Sequence, residues 1–118
     1  MLKIKIGGVY KISIGEYYYI GYSVDVMSRW SNHLTHLYLG KHHSVLMQEI
    51  FNKTFIEDFR FEILEHFSKT DFKKKSGLKG KAFESEYRKA LIVLEKEWMS
   101  RYSVKNALNT DIKHFNTK

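Results

Sequence analysis

The stretch GVYKISIGEYYYIGYS, residues 8–23, decides the fold. Val9, Tyr10, Ile12 and Ile14 are β-prone, and polar Lys11 and Ser13 interleave with them. Tyr17 to Tyr22 is a second β-prone run, rich in aromatics, after a tight Gly15-Glu16 connection. Two such runs about a two-residue turn predict an antiparallel hairpin. Each strand carries a tyrosine beside a glycine motif: Gly8-Val9-Tyr10 in the first, Tyr19-Ile20-Gly21 in the second. A phenol hydroxyl is a modest acid that can hold or relay a proton.

Outward from the hairpin, Ser23 or Asp25 can cap a helix whose apolar stripe is Met27, Trp30, Leu34, Leu37 and Tyr38, with Gly40 as its stop. A second helix is predicted over Ser44 to Lys53. Phe59 to Phe67 reads as a third strand with Phe59, Phe61, Ile63 and Glu65 on one face. Ser68 to Lys81 holds six lysines against one acid, Asp71. With Gly77 and Gly80 inside it, the segment at about 68–82 reads as an exposed, mobile basic loop. The longest helix follows, about Phe83 to Tyr102, with a stripe of Phe83, Tyr87, Ala90, Leu91, Leu94, Trp98 and Tyr102. The tail from Lys105 to Lys118 is polar and reads as irregular. The layout is α+β, a small three-stranded antiparallel sheet flanked by helices.

A chain of 118 residues reads as one domain, 1–118. Its formal charge of +7 favours a polyanionic partner, either nucleic acid or an acidic membrane surface. No cysteine is present, which excludes disulfides and thiolate metal sites. No apolar run reaches the roughly 18 residues of a membrane span, and the basic start lacks the apolar core of a secretory signal. A cytoplasmic protein without a membrane role is therefore expected.

Several residues could carry chemistry. Arg29 and His33 are four apart on the first predicted helix and share a face beside the apolar stripe. An arginine fork suits a phosphate, and a nearby histidine can donate to it or move a proton, although a solvated pair fits the same spacing. His33, His36, His42 and His43 invite comparison with a zinc site, but no carboxylate or cysteine falls at ligand-like spacing. Glu95 and Glu97 lie at comparable edges of the long helix stripe, and periodicity does not choose between them; Glu97 can pair with Arg101. Asn109, taken alone, reads as a turn or capping amide.

As an ordered set these residues resemble the GIY-YIG nuclease superfamily, and most closely the catalytic domain of phage homing endonucleases. The resemblance rests on Gly8-Val9-Tyr10, Tyr19-Ile20-Gly21, Ser23, Arg29-Trp30, His33, Gly40, His42, Gln48, Phe51-Asn52-Lys53, Leu94-Glu95, Trp98 and Leu108-Asn109. It implies a metal-dependent DNA endonuclease that hydrolyses phosphodiester bonds, plausibly a nicking or homing-type enzyme of a phage or mobile element. A restriction-type or structure-specific nuclease, or a non-catalytic nucleic-acid-binding module of the same fold, is the alternative. Tyr10 and Tyr19 would be the two motif tyrosines, one of them serving as general base for the attacking water or relaying its proton, with Tyr10 favoured. Arg29 would clamp the scissile phosphate and His33 would assist there. Glu95 would hold one Mg2+ (or Mn2+) ion per active site, since the Trp98 spacing selects it over Glu97. Asn109 would support the site, and His42 matches a further family histidine, with His43-Ser44 as the competing alignment.

Two departures from the family pattern bear on DNA. The chain is longer than the compact pattern between Glu65 and Glu95, and the excess is lysine-rich; Lys73, Lys74, Lys75, Lys79 and Lys81 are expected to contact DNA phosphates. The sequence stops nine residues after Asn109, so the separate recognition region usual in the homing branch is not expected to follow it. Specificity is expected to come from the loops, from a dimer, from a partner protein that supplies targeting, or to be low; the protein is expected to be a monomer or homodimer.

Overall fold

The computed structural model describes residues 5–109. Strand β1 (Gly8–Ile14) and strand β2 (Tyr17–Ser23) form the expected hairpin. Gly15 takes φ 61°, which the first central residue of a primed two-residue turn requires. Helices α1 (Val26–Leu39) and α2 (Val45–Asn52) follow, then strand β3 (Phe59–His66). Both neighbours of β1 are antiparallel to it, in the order β2-β1-β3. Helix α3 (Lys69–Ser76), helix α4 (Gly80–Met99) and a short 3-10 turn at Val104–Asn106 complete the described part. The α+β reading holds: a three-stranded antiparallel sheet with four helices among the described residues.

The two faces of the sheet pack differently. Ile12 and Ile14 bury against Leu37 of α1, Met47 of α2 and Leu108. Trp30 stacks on Phe61 at 4.5 Å and Phe59 at 5.4 Å, which pins α1 to β3. The opposite face buries Val9, Tyr18 and Ile20 against Leu94, Trp98 and Met99 of α4. A third cluster joins Phe83, Tyr87 and Leu91 of α4 to Phe67 and to Phe72 of α3.

Five expectations change. The buried face of α1 is Val26, His33 and Leu37, while Tyr38 is 82% exposed. His33 thus lies within the buried stripe rather than beside it. The third strand does not keep one face throughout, because its register shifts opposite Val9 and Tyr10. Past that bulge Glu65 pairs with Val9 and accepts a 2.8 Å bond from Trp98 Nε1 on the α4 side of the sheet.

The supposed basic loop is largely helix α3. Ser68 caps it by accepting the Asp71 N–H, Gly77 ends it at φ 69°, and Phe72 packs beside Phe67, Phe83 and Tyr87. Helix α4 then starts at Gly80, three residues earlier than its stripe suggested, and ends at Met99. Finally, Ala107 to Asn109, irregular apart from an isolated bridge at Ala107, is nonetheless buried. It lies along the outer edge of β2, where Leu108 N donates to Tyr18 O at 2.6 Å and Ala107 bridges Tyr18 in parallel. This covers an edge that would otherwise present unpaired backbone groups. The rest of the predicted tail lies outside the described residues. Among the described residues no helix is long and apolar enough to cross a membrane.

Candidate active site

Both motif glycines exist to let something pass close. Tyr10 sits on β1 opposite Gly21 of β2. A Cβ on Gly21 would stand 2.6 Å from the Tyr10 hydroxyl and 2.7 Å from Cζ, so any side chain there would evict the phenol. A Cβ on Gly8 would stand 2.1 Å from the Glu65 carbonyl oxygen, against the bulged part of β3. The glycines make room for the tyrosine and for the strand that backs it.

Tyr10 is fully buried, ringed by Tyr19, His33 and Phe61 at centroid distances of 6.1, 5.8 and 5.7 Å. Its hydroxyl stands 3.0 Å from His33 Nε2. His33 Nδ1 stands 2.8 Å from His42 Nε2, and His42 Nδ1 accepts the Ser44 backbone N–H at 3.0 Å. An amide N–H can only donate, and that fixes the direction of the whole chain. His42 Nδ1 is the acceptor, so a neutral His42 carries its proton on Nε2 and donates to His33 Nδ1. His33 in turn carries its proton on Nε2 and donates to the Tyr10 oxygen. The Tyr10 hydroxyl is left to donate to the Tyr19 side chain, to which it is hydrogen-bonded.

Electrostatics agree with neutral rings. Burial, then His42 and Arg29, push the His33 imidazole down to about 3. Burial, then His43 and His36, push His42 down to about 4. Burial is also the largest of the effects that drive the Tyr10 phenol far above its ordinary range. Tyr19 and Glu95 add to that rise, and Arg29 opposes it. Tyr10 is therefore a firmly held phenol, the donor of the tyrosine pair.

The structure gathers the sequence-predicted residues unevenly. Tyr10, Tyr19, His33 and His42 form one connected cluster, with His33 4% and His42 7% exposed. His43 is exposed and stacks over His42 at 4.5 Å, so the buried partner is His42. Arg29 is exposed at the rim, and its charge and that of Glu95 are both felt at Tyr10. Glu95 is half-buried and Glu97 is exposed, while Arg101 lies over the Trp98 ring at 4.1 Å. Asn109 is 5% exposed and works on backbone: its Oδ1 accepts Ile20 N–H at 2.9 Å and its Nδ2 donates to Ile20 O. It grips the residue between Tyr19 and Gly21. The five lysines lie apart from this cluster, on α3 and at the start of α4.

Gln48 is the residue whose role spacing did not reveal. Its Oε1 accepts His42 N–H at 3.0 Å, and its Nε2 donates to Leu37 O and Asn52 Oδ1. It ties the His42 segment to both α1 and α2. A buried glutamine at the apolar phase of α2 was the available signal.

The metal question divides by ligand type. Among the described residues no three His, Cys, Asp or Glu side chains gather into a metal-holding group. Both ring nitrogens of His33 and of His42 are taken by hydrogen bonds, so neither can ligate zinc. Glu95, a half-buried hard oxygen donor whose charge is felt at Tyr10, could hold Mg2+, which needs only one carboxylate when water and phosphate oxygens fill the remaining positions.

No family model and no curated protein matches the chain. Solved structures do match. One is the catalytic domain of the homing endonuclease I-TevI, with TM-score 0.64, 25% identity, and coverage of 88% of this chain and 97% of that chain. Another is a single-site mutant of the same intron endonuclease catalytic domain, with TM-score 0.62, 25% identity, and coverage of 88% and 92%. The structural neighbours are thus the catalytic domain of a GIY-YIG nuclease, and the fold is shared with it.

Proposed function

We propose that this protein is a metal-dependent DNA endonuclease that hydrolyses one phosphodiester bond per active site. The observation that carries the reading is convergence: Arg29, Glu95, Tyr19 and His33 all act on the one buried phenol of Tyr10. The likeness to a homing endonuclease's catalytic domain supports a nicking or homing-type role in a phage or other mobile element.

Each residue has a definite task. Glu95 would hold one Mg2+ or Mn2+ ion, which when bound supplies positive charge at the phosphoryl oxygens. Arg29, exposed at the rim, clamps the scissile phosphate with two parallel bonds and offsets its charge. The histidines do not shuttle protons. Their tautomers are set by the Ser44 amide, so they pass a one-way series of hydrogen bonds toward Tyr10. Tyr10 is fully buried and Tyr19 is half-buried, so Tyr19 is the phenol that reaches the attacking water. Backed by the Tyr10 O–H, Tyr19 in its phenolate form takes the water proton as the water oxygen bonds phosphorus. The P–O bond to the leaving oxygen breaks, and that oxygen takes a proton from solvent. Tyr10 and His33 are positioning residues in this scheme, and Asn109 holds Tyr19 by gripping Ile20.

The test is conversion of supercoiled plasmid in Mg2+, with and without chelator. Open-circle product is expected with the ion and none with chelator. Glu95→Gln and Arg29→Ala should each slow nicking by at least about 100-fold, the scale of losing one preorganised charge partner. Tight DNA binding with no conversion under any divalent ion would make the protein a non-catalytic module and overturn the reading. A linear product would indicate paired cutting.

A further inference from the structure

The active site leaves the largest concentration of charge unused. Six lysines fall between Lys69 and Lys81 against one acid. Five of them, Lys73, Lys74, Lys75, Lys79 and Lys81, are exposed, and among the described residues none makes a salt bridge. Lys69 differs, pairing with Glu84 at 3.4 Å and lying over the Tyr87 ring.

A helix-dipole account covers only part of this. Lys73, Lys74 and Lys75 fall in the last turn of α3, where cations suit the dipole. Lys79 and Lys81 flank the start of α4, where cations oppose it, and the first turn of α4 holds no acid. The fold therefore tolerates these two and gains nothing from them. The segment is also built and not loose. Phe72 is the one apolar residue of α3, and it turns inward onto Phe67, Phe83 and Tyr87 at 5.5, 5.9 and 5.7 Å. Between α3 and α4 lies a concavity of about 530 Å³ whose cationic walls are Lys69, Lys73 and Lys81.

We propose that the α3–α4 corner is a second DNA-binding surface, which holds duplex phosphates at a fixed distance from the cutting site. The proposal rests on the nuclease reading for its cutting site, and on the corner's own charge for its occupant. An acidic membrane would need an apolar face beside the cations. Here Phe72 is turned inward, so phosphates of a nucleic acid fit better. The spacing follows from α4 itself. Lys81 and Glu95 are fourteen residues apart on one helix, which is roughly 21 Å of axis at 1.5 Å per residue. That length matches about six base-pair steps at 3.4 Å each. The surface therefore reads duplex on one flank of the cut and rewards double-stranded substrate there.

The test uses the full chain, labelled duplexes of about 30 base pairs, and salt from about 50 to 200 mM without divalent ion. The triple variant Lys73→Ala/Lys74→Ala/Lys75→Ala is expected to lower the slope of log affinity against log salt by up to about 2.7, at about 0.9 per lost phosphate contact. Wild-type binding should also weaken at least 10-fold when one flank of the duplex is cut shorter than about six base pairs, and a Lys79→Ala/Lys81→Ala variant, which removes the contact that sets this length, should lose that sensitivity. An unchanged salt slope would overturn the surface while leaving the nuclease intact. So would wild-type binding to anionic lipid vesicles that the triple variant loses while its DNA binding persists. If wild type binds with the expected slope but never nicks, the surface stands and the nuclease reading falls.

Discussion

The polar cluster around Tyr10 and the basic corner around Phe72 are held by opposite means. In the first, neutral polar groups are buried and each is hydrogen-bonded. Among the described residues no buried side-chain nitrogen or oxygen lacks a hydrogen-bond partner. In the second, one half-buried aromatic, Phe72, anchors a corner whose Lys73, Lys74, Lys75, Lys79 and Lys81 are exposed and make no salt bridge among the described residues. The first region is specified by geometry and tolerates little change. The second is specified by charge and one apolar anchor, and tolerates a great deal. A site that does chemistry on one bond and a surface that holds a repeating polyanion should differ in this way.

The sharpest way to break the comparison is Gly21→Ala. The new methyl meets the Tyr10 hydroxyl at 2.6 Å, in the middle of the polar cluster. Nicking should fall by more than about 100-fold, and stability by about 1–3 kcal/mol as the phenol is displaced. A well-folded, fully active alanine variant would mean that Tyr10 need not sit over Gly21.

Acid should find the same region next. His33 and His42 are pushed down to about 3 and about 4, against about 6.5 in an unfolded chain. Between pH 6.5 and 4 the unfolded state therefore binds more protons, so stability is full above about 6.5 and drains as pH falls. Denaturant titrations across that window should report close to two protons taken up on unfolding by this pair. In a His42→Phe background the uptake should drop by about one proton; an unchanged value would place the titration elsewhere.

The smallest effect belongs to the other region. Alanine at Lys73, Lys74 or Lys75 should move stability by no more than about 0.5 kcal/mol each. A larger loss would show that these lysines serve the fold after all.

The two regions also differ in how far the sequence revealed them. The hairpin, α1, α2 and the long helix were legible because period-2 and period-3.6 apolar patterns and caps at Asp25, Ser44 and Gly40 agree. Helix α3 was not, because Phe72 is its one apolar residue and a single residue makes no stripe. Its caps, Ser68 and Gly77, were the available signal. His33 was placed beside the stripe because histidine is not counted as apolar, although a hydrogen-bonded neutral imidazole buries readily. Periodicity left Glu95 and Glu97 alike, and their difference, half-buried against exposed, is visible only in the packed helix. Asn109 looked like a turn residue because its partner, Ile20, lies 89 positions away. Long-range bonds of that kind leave no local pattern to read.

The account's central claim is that a one-way hydrogen-bond series of neutral histidines backs a phenol that takes the water proton. The pH dependence of single-turnover plasmid nicking tests it most directly. The account predicts a rate that rises steadily from pH 5 past pH 8, with no inflection in the ordinary histidine range, because His33 and His42 stay neutral throughout. An acid-side inflection near 6.5 that disappears in His33→Gln or His42→Gln would put a titrating histidine in the reaction and contradict it.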